Sequence, residues 1–425
     1  VATRLTGVPV VALFDARRQP TASLSDGATG YVALARTPFY LESGGQVSDS
    51  GRIVAEGSGV QATVEGLVRI RPGFPRGHKV TVSGGTLHVR DIVTAEVDAT
   101  TRDATRRNHT ATHLLHAALR QLLGTHVKQA GSLVAPDRLR FDFVHFQPLT
   151  RDELNQIERI VNEEILKNTT VETAVRSTDE AIAAGAMALF GEKYGDTVRV
   201  VSVPGFSLEL CGGTHVRATG DIGLFVILAE SGVAAGVRRI EALTGMGAVA
   251  WAQQQRAALG RLVEALHVNE DQAVDAVERL QAEVKRLGRD VSQLKTKLAM
   301  AGGGGQQAGY DVVEAGGIKL ARAKSAGLDK DALRSLADSM KDAIRSGVVL
   351  VTSTGDEGKV SIVVAVTPDL TTRVAAGRLV KALAPLVGGG GGGRPDFAEA
   401  GGKDPSGIDQ LHARAPELLA ELAGA

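Results

Sequence analysis

A chain of 425 residues is too long for one hydrophobic core and predicts two or three domains of roughly 100 to 200 residues each. Lys and Arg total 48 and so do Asp and Glu, so the formal charge is zero and nucleic-acid contact must come from local basic patches. The single cysteine, Cys211, excludes an intramolecular disulfide and fits a reducing, cytoplasmic setting, and the longest apolar runs (181–190 and 222–229) fall well short of the roughly 18 to 20 residues a bilayer demands.

The chain opens on Val1, and its first apolar run (Val8, Val10, Val11, Leu13, Phe14) passes into Asp15-Ala16-Arg17-Arg18 without a small-residue cleavage pattern. An excised fragment is expected, not a signal peptide. Short alternating runs at 29–35, 53–68, 79–82 and 87–95, punctuated by Gly, Pro and Asp, predict a β-barrel-like subdomain. Near residue 98 the pattern turns helical, with Thr101 or Asp103 available to cap residues 104–123. His109 and His113 lie four apart in that helix and so share a face. Strands near 132–134 and 139–146, a charged helix at 150–168, and strands at 197–203, 206–210 and 223–230 then predict an α+β domain.

Cys211 and His215 are also four apart, in the turn Cys211-Gly212-Gly213-Thr214-His215. Taken alone, His109 and His113 read most simply as a surface pair. With Cys211 and His215 they make three imidazoles and a thiolate, the number and softness of ligands that Zn2+ prefers in a tetrahedral site.

From residue 244 the composition shifts to Ala, Gln, Glu, Arg and Leu. Val277, Leu280, Val284, Leu287, Val291, Leu294 and Leu298 follow one another at alternating steps of three and four, the seam of a coiled coil. An earlier helix at 251–266 precedes it, and Asn269 is placed to cap the second. The two either fold back as an antiparallel hairpin or pair with another subunit, and the sequence leaves both open. Lys285, Arg286, Arg289, Lys295 and Lys297 read as a solvated face. Gly302 to Gly305 read as a hinge. Strands at 312–314, 318–323, 348–352 and 360–366, with helices at 331–346, at 371–386 and from 406, predict an α/β C-terminal globular domain. The glycine run 388–393, followed by Arg394-Pro395-Asp396, is expected to be a functional loop whose bare backbone approaches a phosphate or a base.

The strings HTATHLLH (109–116), LGTHVKQAGSLV (123–134), CGGTHV (211–216), TGDIGL (219–224) and GVRRIEALTG (236–245) closely resemble the editing domain of the alanyl-tRNA synthetase family. FYLESGGQVSD (39–49) resembles the glycine motif of the β subdomain before it, and GGGGGGRPDFAEAGG (388–402) is similar to the signature of the C-terminal domain that the family shares with DHH-type phosphoesterases. The resemblance covers essentially the whole chain. It implies a multidomain α+β protein: a β-barrel-like subdomain at 1–98, a zinc-containing editing core at 99–245, a helical coiled-coil arm at 246–301 and a tRNA-binding domain at 306–425.

The activity it implies is hydrolysis of Ser-tRNA and Gly-tRNA mischarged on tRNA(Ala), because a pocket sized for alanine rejects glycine and serine poorly. By the same resemblance, His109, His113, Cys211 and His215 hold Zn2+, while Thr112, Gln129 and Cys211 serve the reaction or its specificity. Arg238, Arg239 and Arg394 contact RNA, the adjacent Arg238 and Arg239 by bridging phosphates. Four protein ligands make zinc a scaffold unless Cys211 yields its place to substrate or water. Nothing resembles the class II aminoacylation core, so no charging of tRNA is expected. A rival reading is a non-catalytic tRNA-binding fragment with a structural zinc, homodimeric through the coiled coil or the C-terminal domain. A DHH-like phosphoesterase is weaker, since the aspartate-rich metal motifs of that chemistry are missing.

Overall fold

The structure, a computed structural model, describes residues 2–70, 75–187, 195–301, 309–355 and 358–424. It divides into two compact units, Val1–Gly260 and Arg261–Ala425. Among the described residues no helix is long and apolar enough to cross a membrane.

The first unit begins with β1 (Arg4–Asp15), β2 (Pro20–Thr21), β3 (Ser23–Leu24), β4 (Thr29–Leu34), β5 (Gly51–Ala55), β6 (Gln61–Arg69), β7 (Arg76–Ser83), β8 (Leu87–His88) and β9 (Ile92–Val97). The first half of β1 pairs with β9 (Leu5 opposite Ala95) and its second half with β4 (Leu13 opposite Val32). The order β1-β4-β7-β6-β5-β9 therefore returns to β1 and closes a barrel without free edges, as expected. The period-two alternation of β6, with Ala62 and Val64 inward and Thr63 and Glu65 outward, fills a core with Val8, Val32, Ile53, Val80 and Val93.

His78 on β7 is fully buried: its Nδ1 bonds the Val32 carbonyl at 2.7 Å and its Nε2 the Thr37 hydroxyl at 2.7 Å. Burial holds this imidazole at about 4, against an ordinary 6.5. The unfolded chain takes up the proton below about pH 6.5 while the folded chain resists until about pH 4, so this contribution to stability is whole above pH 6.5 and drains as pH falls through that window. By pH 4.5 the loss is on the order of 2 to 3 kcal/mol. Thermal unfolding of the chain and of His78→Gln between pH 7.5 and 4.5 checks this. The variant starts less stable but loses less on acidification; parallel slopes would contradict the assignment.

The chain leaves β9 directly into α1 (Ala99–Leu123). The cap is Asp98, whose carboxylate accepts from the Thr101 N–H at 3.0 Å, rather than Thr101 or Asp103. The reason is that Asp98 is still extended and bonded to Ser50 at the barrel rim, so the helix can begin at once. There follow β10 (Gln129–Val134), β11 (Leu139–Val144), α2 (Arg151–Leu166), β12 (Glu172–Ser177), α3 (Thr178–Ala183), β13 (Thr197–Val203), β14 (Ser207–Leu210), β15 (Phe225–Ala234), β16 (Val237–Thr244) and α4 (Gly245–Leu266). Two antiparallel sheets result, β10-β11-β16-β15 and β12-β13-β14. Leu114, Leu115, Ala118 and Leu119 of α1, with Ile157 and Val161 of α2, pack on Phe141, Phe143 and Ile240 of the larger sheet. The reading of an antiparallel sheet with helices against it holds. Arg102 of α1, wholly buried, donates to Asp49 through Nε at 2.6 Å and to the Pro38 carbonyl at 2.9 Å, which fixes the 38–49 loop of the barrel on the helix.

The second unit contains α5 (Ala273–Ala301), β17 (Asp311–Ala315), β18 (Ile318–Ala326), α6 (Lys330–Ile344), β19 (Val348–Thr354), β20 (Val360–Val366), α7 (Ala376–Leu383), β21 (Gly390–Gly393), β22 (Phe397–Gly402) and α8 (Ile408–Gly424). On α5 the seam residues Val277 to Leu294 stand 42% to 70% exposed. Leu298 and the Gly302 to Gly305 hinge lie outside the described side chains and residues respectively. The sheet runs β17-β18-β19-β20-β22-β21, and only β18 and β19 are parallel. The expected α/β domain is thus a mixed, mostly antiparallel sheet. The helix expected at 371–386 is shorter: it begins only at Ala376, after a 3-10 turn at Pro368–Leu370, and at its other end Pro385 lies in a 3-10 turn.

The glycine run is a further correction. Gly390–Gly393 is a strand paired to β22, not an open loop, and Arg394-Pro395-Asp396 is the turn between them. The glycines are needed because β21 lies so close to its neighbours that a Cβ on Gly391 would fall 2.2 Å from the Glu399 carbonyl oxygen, and one on Gly393 2.4 Å from that of Phe397.

Candidate metal centre and adjoining cavity

Helix α1 presents His109 and His113 one turn apart, and the segment after β14 brings Cys211 and His215 against them. One donor atom from each of the four lies within 4.8 Å of every other. Cys211 Sγ is 3.4 Å from His109 Nε2 and 3.3 Å from His215 Nε2. Ligand bonds of about 2.0 to 2.3 Å put the donors of a tetrahedral zinc roughly 3.3 to 3.6 Å apart, so the two Cys211 spacings match such an ion.

The second nitrogens support the same assignment. His109 Nδ1 donates to the buried Gln46 Oε1 at 2.7 Å, leaving its Nε2 as an acceptor, and His215 Nδ1 bonds Thr110 Oγ1 at 3.1 Å. Gln46 is held by the Thr214 N–H at 2.8 Å and by its own Nε2 donating to Thr214 Oγ1 at 2.9 Å. Burial, reinforced by neighbouring imidazoles and Arg199, pushes His109 and His215 well below the ordinary histidine range; burial also lowers His113, although Glu209 pulls the other way. All three are therefore neutral at pH 7, the form in which an imidazole can hold a metal. Gly213 has to be glycine, since a Cβ there would fall 2.1 Å from the His109 ring.

Beside these residues is a cavity of about 290 Å³. His109, His113 and Cys211 form one wall; Thr112, Gln129, Ser132, Arg199 and Glu209 add polar groups, and Tyr40, Ser43 and Gly44 of the barrel loop close one side. Thr112 Oγ1 already donates to the Asn108 carbonyl at 2.8 Å, so toward the cavity it acts as an acceptor. Glu209 is almost fully buried between His116 Nδ1 at 3.1 Å and His113 Nε2 at 3.5 Å. Burial works to raise its carboxyl, but His113, His116 and Arg120 outweigh that and hold it below the usual carboxylate range. Among the described residues that line it, the cavity therefore sets the Glu209 carboxylate and the Arg199 guanidinium among neutral hydrogen-bonding groups.

The structure brings six of the sequence-derived residues together: His109, His113, Cys211, His215, Thr112 and Gln129. It does not do so for the arginines. Arg238 is paired with Glu230 (Nη2 to Oε2, 2.6 Å) and Arg239 with Asp142 (2.6 and 2.7 Å), and as successive strand residues they face opposite ways. Arg394 is exposed in the β21–β22 turn and bonded to Asp396 at 3.2 Å. Gln46, Thr110 and Glu209 had been missed. Gln46 and Thr110 lie inside the strings FYLESGGQVSD and HTATHLLH, and Glu209 stands two residues before Cys211 at the end of a strand, which is the signal each offered.

Three family models match the chain: tRNA synthetases class II (A) over residues 4–101, the threonyl and alanyl tRNA synthetase second additional domain over 198–241, and the DHHA1 domain over 317–421. The first of these covers the barrel. Alanine–tRNA ligases from Bordetella bronchiseptica (49% identical over 94% of this chain and 45% of the relative), Solibacter usitatus (50%, 90% and 43%) and Halorhodospira halophila (51%, 91% and 44%) are similar along nearly its whole length. The chain belongs to the alanyl-tRNA synthetase family and spans somewhat less than half the length of the curated relatives it matches. A solved structure of the C-Ala domain from Aquifex aeolicus alanyl-tRNA synthetase is 26% identical, covering 26% of this chain and 98% of that domain with a TM-score of 0.25.

Proposed function

We propose that this chain proofreads aminoacylation, hydrolysing serine and glycine esters on tRNA(Ala), in the cytoplasm where such esters arise. The observation that carries the reading is the joining of a four-donor metal cluster to a polar cavity of amino-acid size. The match of a domain linked to editing supports it. His109, His113, Cys211 and His215 would hold zinc, which would tie the two distant segments together and supply a Lewis-acidic positive charge beside the cavity.

Hydrolysis requires water to add to the carbonyl carbon, the bond to the ribose oxygen to break, and the water proton to pass to that ribose hydroxyl. Glu209 anchors the α-ammonium group common to all aminoacyl esters, and so contributes orientation without discrimination. Discrimination comes from Gln129 and Thr112, which bond a serine hydroxyl that alanine lacks. Cys211, both a ligand and part of the cavity wall, is the donor nearest the substrate. In the second unit, Arg394 is offered to RNA, and the seam on α5 pairs either with a second copy or within the coiled-coil arm. Arg238 and Arg239 reach phosphate only by giving up Glu230 and Asp142.

Replacing Gln129 by alanine tests the specificity role. One neutral hydrogen bond is worth about 0.5 to 1.5 kcal/mol, so kcat/KM for Ser-tRNA(Ala) falls roughly 2- to 15-fold while Gly-tRNA(Ala), with no hydroxyl, is unaffected. Equal losses on both esters would remove Gln129 from serine recognition.

A further inference from the structure

We infer that Phe146 is a stacking site for an unpaired base of the RNA strand that carries the ester into the cavity, an inference resting on the deacylase reading above. Strand β11 sends Phe141 and Phe143 into the core, where neither is exposed, yet Phe146 just beyond it is 81% exposed. A ring of that size gains most by burial, so its exposure has no folding benefit.

The surroundings favour a planar ligand. The rings of Phe141 and Phe143 lie 6.1 Å apart at 14°, Phe143 and His145 at 6.3 Å and 30°, and His145 and His126 at 5.2 Å and 27°, so aromatic faces continue from the core to the surface beside Phe146. The position is fixed. His145 N–H donates to the Gly236 carbonyl at 3.0 Å, His126 Nε2 and His145 Nδ1 bond at 3.0 Å, and the bare Gly236 turn leaves room for the Phe146 ring, from which a Cβ would be only 3.2 Å away.

The location relates this surface to the chemistry. Gln129 of the cavity wall is paired with Phe143, so His145 and Phe146 lie two and three residues past it along the strand, and His126 lies three residues before Gln129 on the other. Exposed Lys128 adds a cation for a phosphate. An ester at the end of a single strand can reach the cavity only with its preceding nucleotides lying nearby, and unpaired bases are characteristically held on Phe and His rings.

The test uses tRNA(Ala) with 2-aminopurine in place of an unpaired adenine at its 3′ end, together with deacylation of Ser-tRNA(Ala). The chain is expected to quench the fluorophore. Phe146→Ala loses the quench and raises KM by roughly 5- to 100-fold with kcat little changed, and Phe146→Trp restores both. A Phe146→Ala variant that quenches and turns over like the parent overturns the inference. The deacylase reading fails separately: a parent chain that quenches through Phe146 but hydrolyses nothing contradicts that reading and leaves the stacking site standing.

Discussion

Cys211→Ala is expected to lose zinc and, with it, nearly all deacylation. The variant removes one of four donors and the only thiolate, leaving three neutral imidazoles held below their ordinary pKa. Zinc content after gel filtration should fall from one ion per chain to well below one, and single-turnover hydrolysis of Ser-tRNA(Ala) by at least about a hundredfold, the scale on which losing an electrostatic element of a site slows acyl transfer. Gln46→Ala should be milder. It keeps every donor but frees the His109 ring, a change that typically costs about 10- to 100-fold in metal affinity, measurable by competition with a chelator. If Cys211→Ala kept both its metal and its rate, the four residues would not be a ligand set.

Glu209→Gln is expected to slow hydrolysis of seryl and glycyl esters alike. The substitution keeps the shape of a buried side chain but removes the negative charge that Glu209 places in the cavity wall. A hydrogen bond to a charged group is worth about 1.5 to 3 kcal/mol, so kcat/KM should drop roughly 10- to 150-fold on both substrates. Zinc content should be unchanged, which separates this loss from that of Cys211→Ala. A loss confined to one ester would move Glu209 from anchoring the ammonium group to reading the side chain.

Much of this site was legible because its signals are local. The helix period puts His109 and His113 on one face, and the Gly-rich turn sets Cys211 and His215 at the same spacing; the alternating runs of the first hundred residues foretold the barrel. What stayed hidden depends on contacts between distant segments. Gln46 meets His109 across 63 residues, and only after Arg102 and Asp49 have docked the barrel loop on α1. The carboxylates that occupy Arg238 and Arg239 likewise come from neighbouring strands. The glycine run misled for a different reason. Its composition is that of a flexible loop, whereas strand pairing too close for any side chain also demands glycine, and only the register with β22 distinguishes the two.

The central claim is that this cavity hydrolyses the wrong esters and spares the right one. The most direct measurement is single-turnover deacylation of Ser-tRNA(Ala), Gly-tRNA(Ala) and Ala-tRNA(Ala) by the zinc-loaded chain, side by side. The expected result is rapid loss of the seryl and glycyl esters with the alanyl ester persisting close to its rate in buffer. Hydrolysis of none above buffer, with tRNA still bound, would contradict it and leave a binding fragment organised by a structural metal.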